Sequence, residues 1–166
     1  MKAENEKIAK SEAVAAVRQM GRMLAAFYYH LARQLIAELG EEQATAILRQ
    51  AVTAFGAERG ARHREAVQAA GLGDEPAEYV SLPDLPAFGW EAAPVANGEN
   101  ATHIRITYCP FAAYWQERDF AVIGRIYCGV DQAKYQAFHP AADLVQLKNV
   151  LAGDGYCEMV CRKKQP

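Results

Sequence analysis

From about residue 9 to residue 39 the chain runs without proline and with one glycine, Gly21. Val14, Val17, Met20, Leu24, Phe27, Leu31, Leu35 and Ile36 recur there at three- and four-residue intervals. That spacing predicts a long amphipathic helix with these side chains on its inner face. Gly40 ends it, and Glu41 and Glu42 supply the acidic first turn of a second helix reaching about Ala70. The two are expected to pack as a helical hairpin. From Gly71 to Asn100, glycines and prolines (Gly73, Pro76, Pro83, Pro86, Gly89, Pro94, Gly98) break any period. This stretch reads as a long irregular connection. Because it carries Tyr79, Val80, Leu82, Leu85, Phe88 and Trp90, it is expected to lie over the core as a lid.

Thr102 to Cys109 alternates Ile104, Ile106 and Tyr108 with His103, Arg105 and Thr107, the pattern of a half-buried strand. Pro110 ends the strand and suits the first position of a short helix to about Glu117. Phe120 to Phe138 fits strand in its first half, but Ile123, Tyr127, Asp131, Lys134, Tyr135 and Phe138 keep helical spacing, and helix is preferred. Leu144–Leu151 and Tyr156–Arg162 read as two strands joined by a tight turn at Ala152-Gly153-Asp154-Gly155, with Cys157, Met159 and Cys161 on one face. The expected fold is α+β in a single domain. A helical hairpin (about 9–70) is followed by the connection (71–100) and an α/β part (101–166) with short helices and an antiparallel sheet.

Hydrophobic residues make up 51% of the 166 residues and charged residues 23%, as in an ordinary globular domain. The formal net charge of −2 gives no electrostatic reason to expect nucleic acid or an anionic membrane as partner. The charged start, Met1 to Lys7, lacks the apolar core of a secretory signal, and no stretch is apolar enough to span a bilayer. A cytoplasmic protein acting on a small molecule is therefore expected, with homo-oligomerisation left open. In that compartment the four cysteines, Cys109, Cys128, Cys157 and Cys161, would stay reduced.

Cys109 carries the best physical case for chemistry, since a thiol at a helix start feels the positive end of the helix dipole, which favours the thiolate. A small buried residue closing a strand is the competing account. Cys128 and Asp131 fall on one helical face, and Cys157 follows the glycine turn at an element boundary. His30 lies three residues after Phe27 on an aromatic face, where it could act as a general base. Arg59 and Arg62 could hold a carboxylate through the guanidinium fork, or simply form a solvated face. Eighteen, twenty-eight and three residues separate successive cysteines, without a CxxC pair, and the chain has no P-loop or GxGxxG motif, so no cofactor is predicted. Zinc is disfavoured, although three thiols with His30 or His103 would satisfy tetrahedral coordination.

Five segments together resemble the L-2-amino-thiazoline-4-carboxylic acid hydrolase family. They are Phe27-Tyr28-Tyr29-His30, Gly56-Ala57-Glu58-Arg59-Gly60, Tyr108-Cys109-Pro110, Tyr127-Cys128-Gly129-Val130-Asp131 and Gly153-Asp154-Gly155-Tyr156-Cys157. The resemblance implies hydrolysis of a small cyclic isothiourea- or amidine-type amino acid to an N-carbamoyl-cysteine-type product. On that basis Cys109, Cys128 or Cys157 would be the nucleophile, His30 or Asp131 the proton carrier, and Arg59 the carboxylate holder. The C-terminal half is also similar to the small-molecule-binding domains named after 4-vinyl reductase, which implies the rival function of a non-catalytic binding or sensor domain. An interaction scaffold like those of vesicle-tethering complexes is a third class; it predicts a large exposed apolar patch and no polar cavity.

Overall fold

The structure is a computed structural model that describes residues 8–73, 79, 84–96 and 102–163. Two long helices, α1 (Lys10–Leu39) and α2 (Glu41–Ala69), form the expected hairpin. Gly40 makes the reversal at φ +78°, and its amide donates to the Ile36 carbonyl, closing α1 as α2 begins. A residue with a Cβ would be strained in that left-handed region.

Four strands follow: β1 (Glu91–Pro94), β2 (Thr102–Tyr108), β3 (Ala142–Lys148) and β4 (Cys157–Lys163). They form one antiparallel sheet in the order β1-β2-β4-β3. Three shorter helices, α3 (Pro110–Gln116), α4 (Ala121–Tyr127) and α5 (Gly129–Phe138), lie between β2 and β3 in sequence. The α+β architecture is as expected, and Cys157, Met159 and Cys161 are all buried on one face of β4.

Four local expectations are corrected. The inward face of α1 is Gly21, Ala25, Tyr28 and Ala32, while Met20 is 70% and Phe27 65% exposed. Close approach decides this: Trp115 of α3, only 1% exposed, donates its Nε1–H to the Ala25 carbonyl at 3.0 Å, and Gly21 lies against the Pro110 ring. Bulky side chains on that face would hold α3 away. In the supposed irregular connection, Glu91–Pro94 is a strand although its sequence has little β propensity, because β2 supplies the pairing. The segment 120–138 is two helices that break at Cys128. Finally, β3 stops at Lys148, where the Asn149 side chain accepts the Leu151 amide and turns Val150–Ala152 into one turn of 3-10 helix.

The most extensive packing between elements joins α2 to α5. A Cβ on Gly56 would come within 2.5 Å of the Val130 carbonyl oxygen and 2.8 Å of the Ala133 Cβ, and one on Gly60 would collide with the Lys134 carbonyl. One buried cluster surrounds Tyr28, Trp115 and Ile126, and a second contains Val67, Tyr79, Tyr135, Phe138 and Cys161. His63 is buried beside the second, its Nε2 2.9 Å from the Tyr79 carbonyl oxygen. Val80 and Leu82 lie outside the described residues. No helix among the described residues is long and apolar enough to cross a membrane.

Gly60→Ala forces α2 and α5 apart through backbone, not through a side chain that can rotate away. Overpacking of this kind costs about 1–3 kcal/mol, and urea unfolding of the variant should show a loss of that size. An unchanged midpoint would mean that the helices do not approach this closely.

Candidate functional site

Between the sheet and the helices lies a cavity of about 360 Å³. Cross-strand register builds its floor. Ile106 of β2 pairs with Cys157 of β4 and Ile104 with Met159, and all four side chains face inward. The walls are Phe111, Ala112 and Trp115 of α3, Tyr127 of α4 and Val130 of α5. Leu85, Pro86 and Trp90 of the connection and Leu24 and Phe55 of the hairpin complete it. The described parts of the connection thus do cover the core.

Polar groups in this apolar space are few: Cys109, Cys128 and Cys157, with Arg59, Asp131 and Asn149. Five of the seven residues singled out in the sequence therefore line one cavity. The helix break at Cys128 and the strand-to-helix junction at Cys109 point these thiols at a space that β4 approaches from the sheet. His30 does not join them. It is exposed on α1 with its ring against Tyr29, because the inward face of α1 is one residue removed from the apolar stripe. Arg62 is exposed and paired with Glu58 at 2.6 Å. Cys161 belongs to the second buried cluster, and His103 sits on the opposite face of the sheet from Cys157, 3.0 Å from Glu158. Among the described residues, no group of three or more His, Cys, Asp or Glu side chains could hold a metal ion.

Asn149 is the residue the sequence reading missed. It is 3% exposed, its Nδ2 donates to Gln146 Oε1 at 2.7 Å, and its side chain also hydrogen-bonds Cys128. A turn-favouring residue five positions before Asp154 was the available signal; the Asp154 carboxylate accepts the Asn149 backbone N–H at 2.7 Å.

The electrostatics of the thiols run opposite to expectation. Burial pushes the Cys109 thiol above its ordinary range. The amides of Phe111 and Ala112 and the Trp90 side chain act the other way, as the helix-start argument requires, but desolvation is larger. Burial also raises Cys128, to about 12, and Cys157, whose sulfur accepts the Val150 amide at 3.4 Å. Tyr127 is pushed up to about 12 for the same reason. At neutral pH the cavity holds thiols, not thiolates.

Beside the cavity runs a chain of ion pairs. Arg59 Nη2 donates to Asp84 Oδ2 at 2.6 Å, and Lys134 Nζ lies 3.1 Å from Asp131 and 3.9 Å from Asp84.

The sequence model of the L-2-amino-thiazoline-4-carboxylic acid hydrolase family matches residues 18–160, a span that includes every cavity-lining residue named above. The chain belongs to that family. No curated protein matches it significantly. Among solved structures, a crystal structure of a trafficking protein particle complex subunit 3 from Naegleria fowleri covalently bound to palmitic acid is similar in fold. Its TM-score is 0.55 at 18% identity, over 89% of this chain and 97% of that one. At that identity the likeness shows the fold alone.

With its thiol raised to about 12, Cys128 has a thiolate fraction that grows about tenfold per pH unit throughout the neutral range. Iodoacetamide labelling of Cys128, followed by peptide mass spectrometry, should therefore accelerate from about pH 7 to about pH 10 without a plateau. A plateau near pH 8 would show an activated cysteine.

Proposed function

We propose that this family member hydrolyses a small cyclic isothiourea- or amidine-type amino acid of the 2-aminothiazoline-4-carboxylate kind, opening the ring to an N-carbamoyl-cysteine-type product. The observation that carries this reading is the convergence of three thiols, a guanidinium and a carboxylate on one otherwise apolar cavity. Its volume of about 360 Å³ falls in the range of small-molecule sites.

Arg59 holds the substrate carboxylate and so aims the ring toward the cysteines. Cys109 is the nucleophile of this reading, because its sulfur has the most hydrogen-bond donors, from Phe111, Ala112 and Trp90, with which to hold a developing negative charge. Its sulfur bonds to the ring carbon between sulfur and nitrogen. The carbon–sulfur bond of the ring then breaks, and the departing sulfur takes a proton to become the cysteine thiol of the product. Water attacks the resulting S-linked isothiourea, Asp131 accepts its proton, and the carbon–sulfur bond to Cys109 breaks with return of a proton to that sulfur. One water is consumed and the carbamoyl oxygen comes from it. An amidinium of the bound substrate beside Cys109 would favour the thiolate that burial disfavours.

A second reading has an observation of its own. The lining is mostly hydrocarbon, from Leu24, Ile104, Ile106, Phe111, Val130 and Met159 among others, and a protein of similar fold carries covalent palmitic acid. On this reading the cavity holds an acyl chain in thioester linkage to one of its cysteines. Intact-mass measurement before and after neutral hydroxylamine separates the two, since only an acyl thioester loses mass.

On the hydrolase reading, Cys109→Ser lowers kcat on 2-aminothiazoline-4-carboxylate by about 100-fold or more, because the alcohol replaces a far better nucleophile. Arg59→Gln acts mainly on KM, raising it by about tenfold or more through loss of a charge-assisted hydrogen bond. Full turnover by the Ser variants of Cys109, Cys128 and Cys157 alike would exclude cysteine chemistry.

A further inference from the structure

Phe55, Arg59 and Leu85 line not only the cavity but also a second, more open groove of about 410 Å³, where they are joined by Arg62, His63, Ala66 and Asp84. These three shared residues are the partition between groove and cavity. The Arg59–Asp84 hydrogen bond spans it at 2.6 Å, with the two side chains only 14% and 19% exposed. Asp84 opens the segment whose next residues, Leu85 and Pro86, together with Trp90, cover the cavity. The ion pair therefore ties that cover to α2.

The charges around this pair balance. Arg59 and Lys134 contribute two positive groups, Asp84 and Asp131 two negative ones, within 3.9 Å of one another along the chain of pairs. A ligand carboxylate added to this set would leave an excess negative charge in a poorly solvated place, where like charges repel more strongly than in water. Exchange of Asp84 for the ligand keeps the balance, and Asp84 belongs to the exposed stretch Asp84–Pro86, so its largely covered carboxylate can be hydrated once it leaves Arg59.

We propose that Asp84 is a built-in carboxylate competitor: it holds the position on Arg59 that a ligand carboxylate takes, so a carboxylate ligand enters from the groove by displacing Asp84 and freeing the Asp84–Pro86 end of the cover, while Gly89 stays anchored to Arg18. This rests on the reading above that Arg59 receives a carboxylate. It assigns Asp84 a positioning role that sets the discrimination between carboxylate ligands and neutral ones of the same shape. Arg62, paired with Glu58, lines the groove end of the same path.

Calorimetric titration of the full chain with thiazolidine-4-carboxylate and with thiazolidine tests the exchange, since the two differ only in the carboxylate. In Asp84→Asn the guanidinium loses its ionic partner, so the carboxylate should bind at least tenfold more tightly than to the parent while thiazolidine affinity stays within about twofold. Hydrogen exchange read by mass spectrometry on the parent protein gives a check that needs no variant: the carboxylate, and not thiazolidine, should raise exchange across residues 84–86. Binding of the carboxylate with equal affinity to parent and variant, or with no change in exchange over 84–86, overturns the inference while leaving the hydrolase reading intact. Binding to neither protein overturns both the inference and the assignment of Arg59. Tighter carboxylate binding in the variant by a protein that fails to turn over 2-aminothiazoline-4-carboxylate upholds the exchange and removes the hydrolase reading alone.

Discussion

Much of this molecule depends on how closely α5 can lie against α2. Two glycines one helical turn apart, Gly56 and Gly60, bring the backbone of α5 against that of α2 at Val130 and Lys134. Arg59 stands between them on one helix, and Asp131 and Lys134 stand opposite on the other. The same approach that buries the helix pair therefore sets the spacing of the charged groups beside the cavity. Were either glycine to carry a side chain, packing and electrostatics would be disturbed together. A short Gly-containing segment in this sense sets the positions of charged groups on two helices.

The cavity itself reflects a conflict between enclosure and ionisation. Drawing three thiols into an apolar space removes water, which strengthens every remaining polar contact, but it also makes each thiolate costly. Hydrogen bonds from Phe111, Ala112 and Trp90 to Cys109 offset part of that cost without cancelling it. Activation by a bound cationic substrate, or retention of neutral thiols beside an acyl chain, are two different resolutions of the same conflict. Both draw on the same feature, a mostly hydrocarbon lining with a polar corner at Arg59, Asp131 and Asn149. The apolar stripe left exposed on α1 is the other departure from an ordinary globular surface.

Local signals were sufficient where the determinant was local. Gly40 between two helical periods, Pro110 after an alternating strand, and the alternation of Cys157, Met159 and Cys161 each led to the element found. Elements whose determinants lie far away in the chain were misread. Glu91–Pro94 is a strand because β2 offers it hydrogen bonds, and α1 turns Ala25 inward because Trp115, ninety residues on, needs its carbonyl. Hydrophobic periodicity finds the face with the larger side chains, and here the packed face is the one with the smaller.

The sequence by itself determined the α+β class, the helical hairpin, the family segments and the candidates Cys109, Cys128, Cys157, Asp131 and Arg59, because these follow from residue type and spacing along the chain. Only the tertiary structure decided that these five share a cavity, that His30 and Arg62 lie outside it, that Asn149 belongs to it, and that the thiols are held protonated. Those are statements about distance and solvent access between segments remote in sequence. A dipole at a helix start can be inferred from a proline, but the burial that overrules it depends on everything packed around the sulfur.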